Sequence, residues 1–136
     1  MSKFLVIVGT IGGAIATALG GWDAGLETLL VFMAVDYISG LAAAFWHKSP
    51  KTPNGGLNSD VGLHGIIRKV MMLLAVLVGA QLDRVIGSDF VRDCVVVAFC
   101  ANECLSIVEN AGIMGVPMPK VIIEAIEVLK ERSEKK

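Results

Sequence analysis

Six polar residues of this chain stand where an apolar solvent would surround them. Asp36 interrupts the apolar run 25–46, and Asn102, Glu103, Ser106, Glu109 and Asn110 recur at helical spacing along the run 89–110. An ionised carboxylate at the centre of a membrane helix costs roughly 2.5–3.5 kcal/mol. Asp36 must therefore face protein or water, or carry a proton. Ser39 and Gly40 follow one turn on, and Asp36, Gly40, Ala43 and His47 share a helix face. The stripe from Asn102 to Asn110 is too polar to face lipid. Its spacing allows interhelical hydrogen bonds, typically ~0.6 kcal/mol each, or one wall of a water-filled path. Asp36 would be satisfied by Asn102, by Ser106, or by sharing a proton with Glu103, since two carboxyls a few ångströms apart in lipid do not both ionise.

Other chemistries find no support in the residues. Cys94, Cys100 and Cys104 fall on one predicted helix, and no second pair or nearby His completes a zinc set, so they read as small apolar filler. His47 and His64 flank a polar loop and suit a surface role better than a pH response. Gly9-Thr10-Ile11-Gly12-Gly13 lacks the Gly-Lys-Ser/Thr ending of a phosphate loop. No Ser-His-Asp, Cys-His or paired-carboxylate arrangement stands beside a soluble pocket. The residues predict neither enzyme, cofactor nor metal site.

The elements that hold these residues follow from composition. Apolar residues make up 54% of the 136, glycine adds 15 more, and charged residues are only 18% against about 25% in ordinary soluble domains. Mean hydropathy is +0.69. Such a chain collapses or inserts, which excludes disorder. A net charge of −1 excludes a nucleic-acid partner bound by phosphate neutralisation. Charges gather in 119–136, which leaves the preceding 118 residues poorer still. The expected architecture is an all-α polytopic membrane bundle over 1–118, followed by an amphipathic, charged cytoplasmic tail over 119–136.

Four runs are long enough, or nearly so, to cross a ~30 Å hydrocarbon layer as helices: 4–22, 25–46, 66–82 and 89–110. Threading four spans puts Lys3, Lys48, Lys51, Arg68, Lys69, Lys120, Lys130, Arg132, Lys135 and Lys136 on one side, and only Arg84 and Arg92 on the other. Basic residues favour the cytoplasmic side, so both termini are expected there. Trp22 and Trp46 near span ends suit the membrane interface. The first run loosely mimics a cleavable signal, but glycine breaks up its apolar part and the expectation is retention. Gly9, Gly13, Thr17 and Gly21 recur every fourth residue, and Gly40 and Ala44 repeat that spacing, which lets helix backbones approach closely in lipid. Between the second and third runs, 49–60 is dense in turn formers. After Pro119, Val121, Ile122, Ala125, Ile126 and Leu129 mark an amphipathic helix of one to three turns, ahead of a polar end at 131–136.

Three stretches, 36–44, 57–69 and 102–119, together resemble the phage-lysis and toxin-secretion holin family. The most specific part is Ser106-Ile107, Glu109-Asn110 and Gly112, followed by Gly115, Pro117 and Pro119. The resemblance implies a small protein of the bacterial cytoplasmic membrane that accumulates, oligomerises and opens lesions on a schedule. Endolysin then reaches the cell wall, as a functional partner that need not touch the chain, and some relatives release toxins. The direct partners implied are further copies of the chain and lipid. Close packing between copies would draw on Gly9/Gly13 and Gly40/Ala44. The stripe from Asn102 to Asn110 would lie protein-to-protein before opening and meet water afterwards. Two other readings stay open on the residues alone: a small proton- or cation-conducting transporter or channel subunit using Asp36 and Glu103, and a membrane adaptor whose tail docks a partner.

Overall fold

Glycine and polar turn residues set most of the helix ends, as at Gly20, Asn58 and Gly87. A computed structural model describes residues 2–46 and 49–135, so the expected place of His47 on the Asp36 face, and the charges of Lys48 and Lys136, lie outside the described residues. The described chain forms five α-helices and no strand: α1 (Lys3–Ala18), α2 (Ala24–Phe45), α3 (Ser59–Ile86), α4 (Val91–Ile113) and α5 (Lys120–Lys135).

The boundaries differ from the expected runs for local reasons. α1 stops at Ala18 because Gly20 and Gly21 adopt left-handed φ angles of 96° and 99°, a conformation open to glycine at little cost. A Cβ on Gly20 would also meet the Arg92 Nε at 2.9 Å. α2 starts where the Asp23 carboxylate accepts the Leu26 N–H. α3 is far longer than 66–82. Asn58 caps it by accepting the Asp60 and Val61 N–H groups, and it runs on to Gly87 at φ 72°. Its first turns are polar, so hydropathy marks only its middle. α4 has no cap from Phe90; Asp83 of α3 serves instead, accepting the Val91 and Arg92 N–H groups, both at 3.0 Å. α5 is a single helix of 16 residues that continues through the charged end instead of stopping after three turns.

α4 is the central element and packs against α2, α3 and α5. α2 and α3 barely meet, and α1 touches α3 alone among the helices. The core joins Leu26, Leu29 and Met33 of α2 to Val76 of α3 and to Val96 and Cys100 of α4. α1 buries no residue, and Gly9 and Gly13 face open space.

Two helices, α2 and α3, combine the length and apolarity needed to cross a membrane, and only 28% and 6% of their apolar windows are buried. Core helices of soluble proteins hide that surface; here it remains for lipid or another chain to cover. α1 is apolar but, at 16 residues, only about 24 Å long. α4 has the length, but it carries Arg92, Asp93, Glu103 and Glu109.

Candidate functional site

Asp36 is 4% exposed, and a cation that was not expected joins it to Glu103, one of its expected partners. The ammonium of Lys69 on α3 lies 2.6 Å from Asp36 Oδ2 and 2.5 Å from Glu103 Oε2. It bridges the two carboxylates. The Asn110 amide donates to Asp36 Oδ1 at 3.2 Å, to the Asp36 carbonyl at 3.3 Å and to Ser39 Oγ at 2.9 Å, while Ser39 Oγ donates to the Asp36 carbonyl at 3.0 Å. Asn102 and Ser106, the other expected partners, make no hydrogen bond to Asp36. The network ties α2, α3 and α4 together where α2 and α3 scarcely touch, so Lys69 supplies much of the link between them. Buried ion pairs of this kind need further hydrogen bonds to their remaining lone pairs, and Asn110 supplies one to Asp36 Oδ1.

The predicted stripe on α4 divides into two. Glu103 and Asn110 are buried at 5% and 6% exposure, Ser106 is half-buried, and Asn102 and Glu109 are exposed. One residue is one hundred degrees of helix, so Asn102 and Glu109 lie on the neighbouring face. There they continue a run of Ala98, Asn102, Leu105, Glu109 and Gly112 in which each member is exposed or half-buried. No side-chain hydrogen bond within the chain involves Asn102 or Glu109 among the described residues. Gly40 and Ala44 pack inside the chain instead of being left for another copy: a Cβ on Gly40 would stand 3.7 Å from the Asn110 amide nitrogen, and Ala44 is 7% exposed.

A second polar cluster closes the opposite end of the bundle. Arg92, 5% exposed, donates through Nε to the Leu19 carbonyl at 2.9 Å and through one terminal nitrogen to the Gly21 carbonyl at 3.0 Å. It also grips the Asp23 carboxylate with both terminal nitrogens. This guanidinium holds the Asp23 carboxyl below its ordinary pKa. The Arg92 fork thereby fastens the turn between α1 and α2 to the start of α4.

Lys69 and Arg92 are the functional residues that the sequence reading missed, having counted both only toward membrane sidedness. A signal for Lys69 was present: it lies within the apolar run 66–82, where a cation needs a partner for the same reason that Asp36 does. The described residues also line two cavities. One, of about 440 Å³, opens between α2, α3 and the segment after Ser49. The other, an apolar groove of about 550 Å³, runs between α2, α4 and α5 and includes the buried Ile126.

A family model described as the bacteriophage holin family matches residues 13–131. An uncharacterised protein of Halalkalibacterium halodurans is 36% identical over 126 residues, covering 88% of each chain. An uncharacterised 14.9 kDa protein of Clostridium perfringens is 33% identical over 90% of this chain and 89% of its own. A probable holin of Bacillus phage phi105 is 31% identical over 112 residues, which are 82% of this chain and 78% of that one. No solved structure matches the chain.

Proposed function

The chain belongs to the bacteriophage holin family, and from that premise we propose that it gathers in the bacterial cytoplasmic membrane and opens timed lesions that release endolysin or another protein for host lysis. The observation that carries this reading is the exposed stripe of α4. Asn102 sits at mid-helix and Glu109 two turns on, both exposed and without a side-chain hydrogen bond among the described residues. Lipid is a poor solvent for both. Contact with the same stripe of another copy satisfies them in a closed assembly, and water satisfies them in an open one. Glu103 and Asn110, engaged inward, then serve as the bolts of a monomer that survives the transition.

In the proposed topology α1 to α4 all span and both termini are cytoplasmic, a reading supported by the placement of ten of the twelve basic residues on one side. α1 is short for this, and local thinning of the bilayer accommodates a mismatch of a few ångströms at modest cost. α4 crosses with its charges either paired inward or turned to other copies. A proton or cation path through Asp36 and Glu103 is less well supported, because the tethered ammonium of Lys69 already occupies the position a cation would take.

Induced expression tests the proposal. A holin gives an abrupt, timed collapse of membrane potential and lets a co-expressed endolysin lyse the cells; a graded, ion-dependent flux would overturn it in favour of a transporter. Cysteine labelling at Ser49 and Ser88 tests the topology, with Ser49 expected inside and Ser88 outside. Labelling of both from one side would break the four-span arrangement.

A further inference from the structure

The cavity of about 440 Å³ between α2, α3 and the 49–58 segment is lined by both cationic and apolar side chains. The cations Lys51, Arg68 and Lys69 line it, and Asp36 is its one carboxylate among the described residues. Lys69 is committed to Asp36 and Glu103, whereas Lys51 and Arg68 make no ion pair among the described residues. Its apolar lining includes Leu41, Leu57 and Ile67, which are 41%, 58% and 51% exposed. Thr52 also lines the cavity; it is 9% exposed, and its buried hydroxyl oxygen has no hydrogen-bond partner. Buried polar atoms are rarely left so.

We infer that this cavity is a binding site for an anionic phospholipid of the cytoplasmic leaflet. The phosphodiester sits against Lys51 and Arg68, the Thr52 side chain turns about χ1 to bring its buried hydroxyl to a headgroup oxygen, and the upper part of one acyl chain lies along Leu41, Leu57 and Ile67. Basic pockets between membrane helices on the cytoplasmic side are suited to such headgroups. The volume falls within the range of small-ligand sites. The exposed apolar lining favours a lipid over a free phosphate, which would leave it wet. Occupancy would brace α2 against α3 where the two helices barely meet, and so make the state of the bundle sensitive to lipid composition. The inference rests on the membrane topology proposed above, because it needs the 49–58 segment at the cytoplasmic surface.

The test is lipid retention by the full-length protein in detergent, read by native mass spectrometry with dioleoyl phosphatidylglycerol and dioleoyl phosphatidylcholine supplied equally. Retention of phosphatidylglycerol about tenfold over phosphatidylcholine is expected. The double variant Lys51→Gln/Arg68→Gln should abolish the preference, and Thr52→Val, which keeps the side-chain shape, should weaken it. Glycerol phosphate should not displace the lipid. Equal retention of the two lipids, a preference unchanged in the double variant, or displacement by glycerol phosphate would overturn the inference. Retention requires no lesion. A chain that prefers phosphatidylglycerol yet never permeabilises a membrane therefore breaks only the holin reading, and one that permeabilises without discriminating lipids breaks only this one.

Discussion

Asn102 and Glu103 are neighbours in sequence with opposite surroundings, and Glu109 and Asn110 repeat the contrast two turns later. On one face of α4, Glu103 and Asn110 are buried and bound to Lys69, Asp36 and Ser39. On the adjoining face Asn102 and Glu109 are exposed and unengaged. The same helix therefore carries one set of polar groups that holds a monomer together and another left for something outside it. Interhelical glue and pore wall need not compete for the same residues, because a rotation of one residue separates them.

Breaking the inward face should have the largest effect. Lys69→Met strands two buried carboxylates, a loss of about 3–5 kcal/mol, so the variant should fail to accumulate as a folded protein in detergent. Adding Asp36→Asn and Glu103→Gln should restore a thermal transition. A folded single variant would show that the bridge is dispensable.

Removing one carboxylate is gentler, because Asp36→Leu leaves a neutral Lys69–Glu103 pair. This variant should still insert, yet delay or abolish lysis at matched membrane levels, with Asp36→Asn milder. Wild-type timing of membrane-potential loss in Asp36→Leu would mean that this carboxylate is incidental.

The adjacent pair sharpens the comparison. Asn110→Leu removes donors to Asp36 and Ser39 and should lower stability by about 1–3 kcal/mol. Glu109→Leu should change stability by less than about 0.5 kcal/mol while disturbing lysis, and thermal unfolding together with a lysis time course reads both. Equal stability losses would erase the distinction between the faces.

The smallest effect concerns the far end of the bundle. Asp23 has its folded-state pKa lowered from 3.8, chiefly by its bond to Arg92. Its contribution is therefore full above that value and lost as pH falls through the folded pKa. The Asp23 carboxylate is half exposed, with 49% of its side-chain surface accessible, so the slope should be shallow. Unfolding midpoints below pH 3.8 should fall more steeply in wild type than in Asp23→Asn. Identical slopes would mean that this pair adds nothing.

Much of the fold was legible in the sequence, though not where polar and apolar requirements overlap. Apolar runs located the helices, and Asp36 was recognisable as a residue in need of a partner. The length of α3 was hidden because its ends are polar or glycine-rich: Ser59, Asp60, Gly62, His64 and Gly65 precede the run 66–82, and Asp83 and Arg84 follow it. The cap of α4 was hidden because Asp83 comes from another helix, eight or nine positions before the N–H groups it binds. Sequence spacing grouped Asn102 with Glu103 because neighbouring faces of a helix are indistinguishable until something packs against one. Gly40 and Ala44 read as contacts for another copy, since spacing alone does not say whether the close neighbour lies within the chain.

The most direct test of the two-faced helix is thiol accessibility in a chain with Cys94, Cys100 and Cys104 replaced by Ala. Single cysteines are placed at Asn102, at Glu109 and at the buried Ala101, and a membrane-impermeant maleimide is added before and after collapse of the membrane potential. Asn102→Cys and Glu109→Cys should resist labelling before collapse and label readily after it, while Ala101→Cys stays protected throughout. Protection of Asn102→Cys after collapse, or equal labelling of Ala101→Cys, would contradict an exposed stripe that meets water only when the lesion opens.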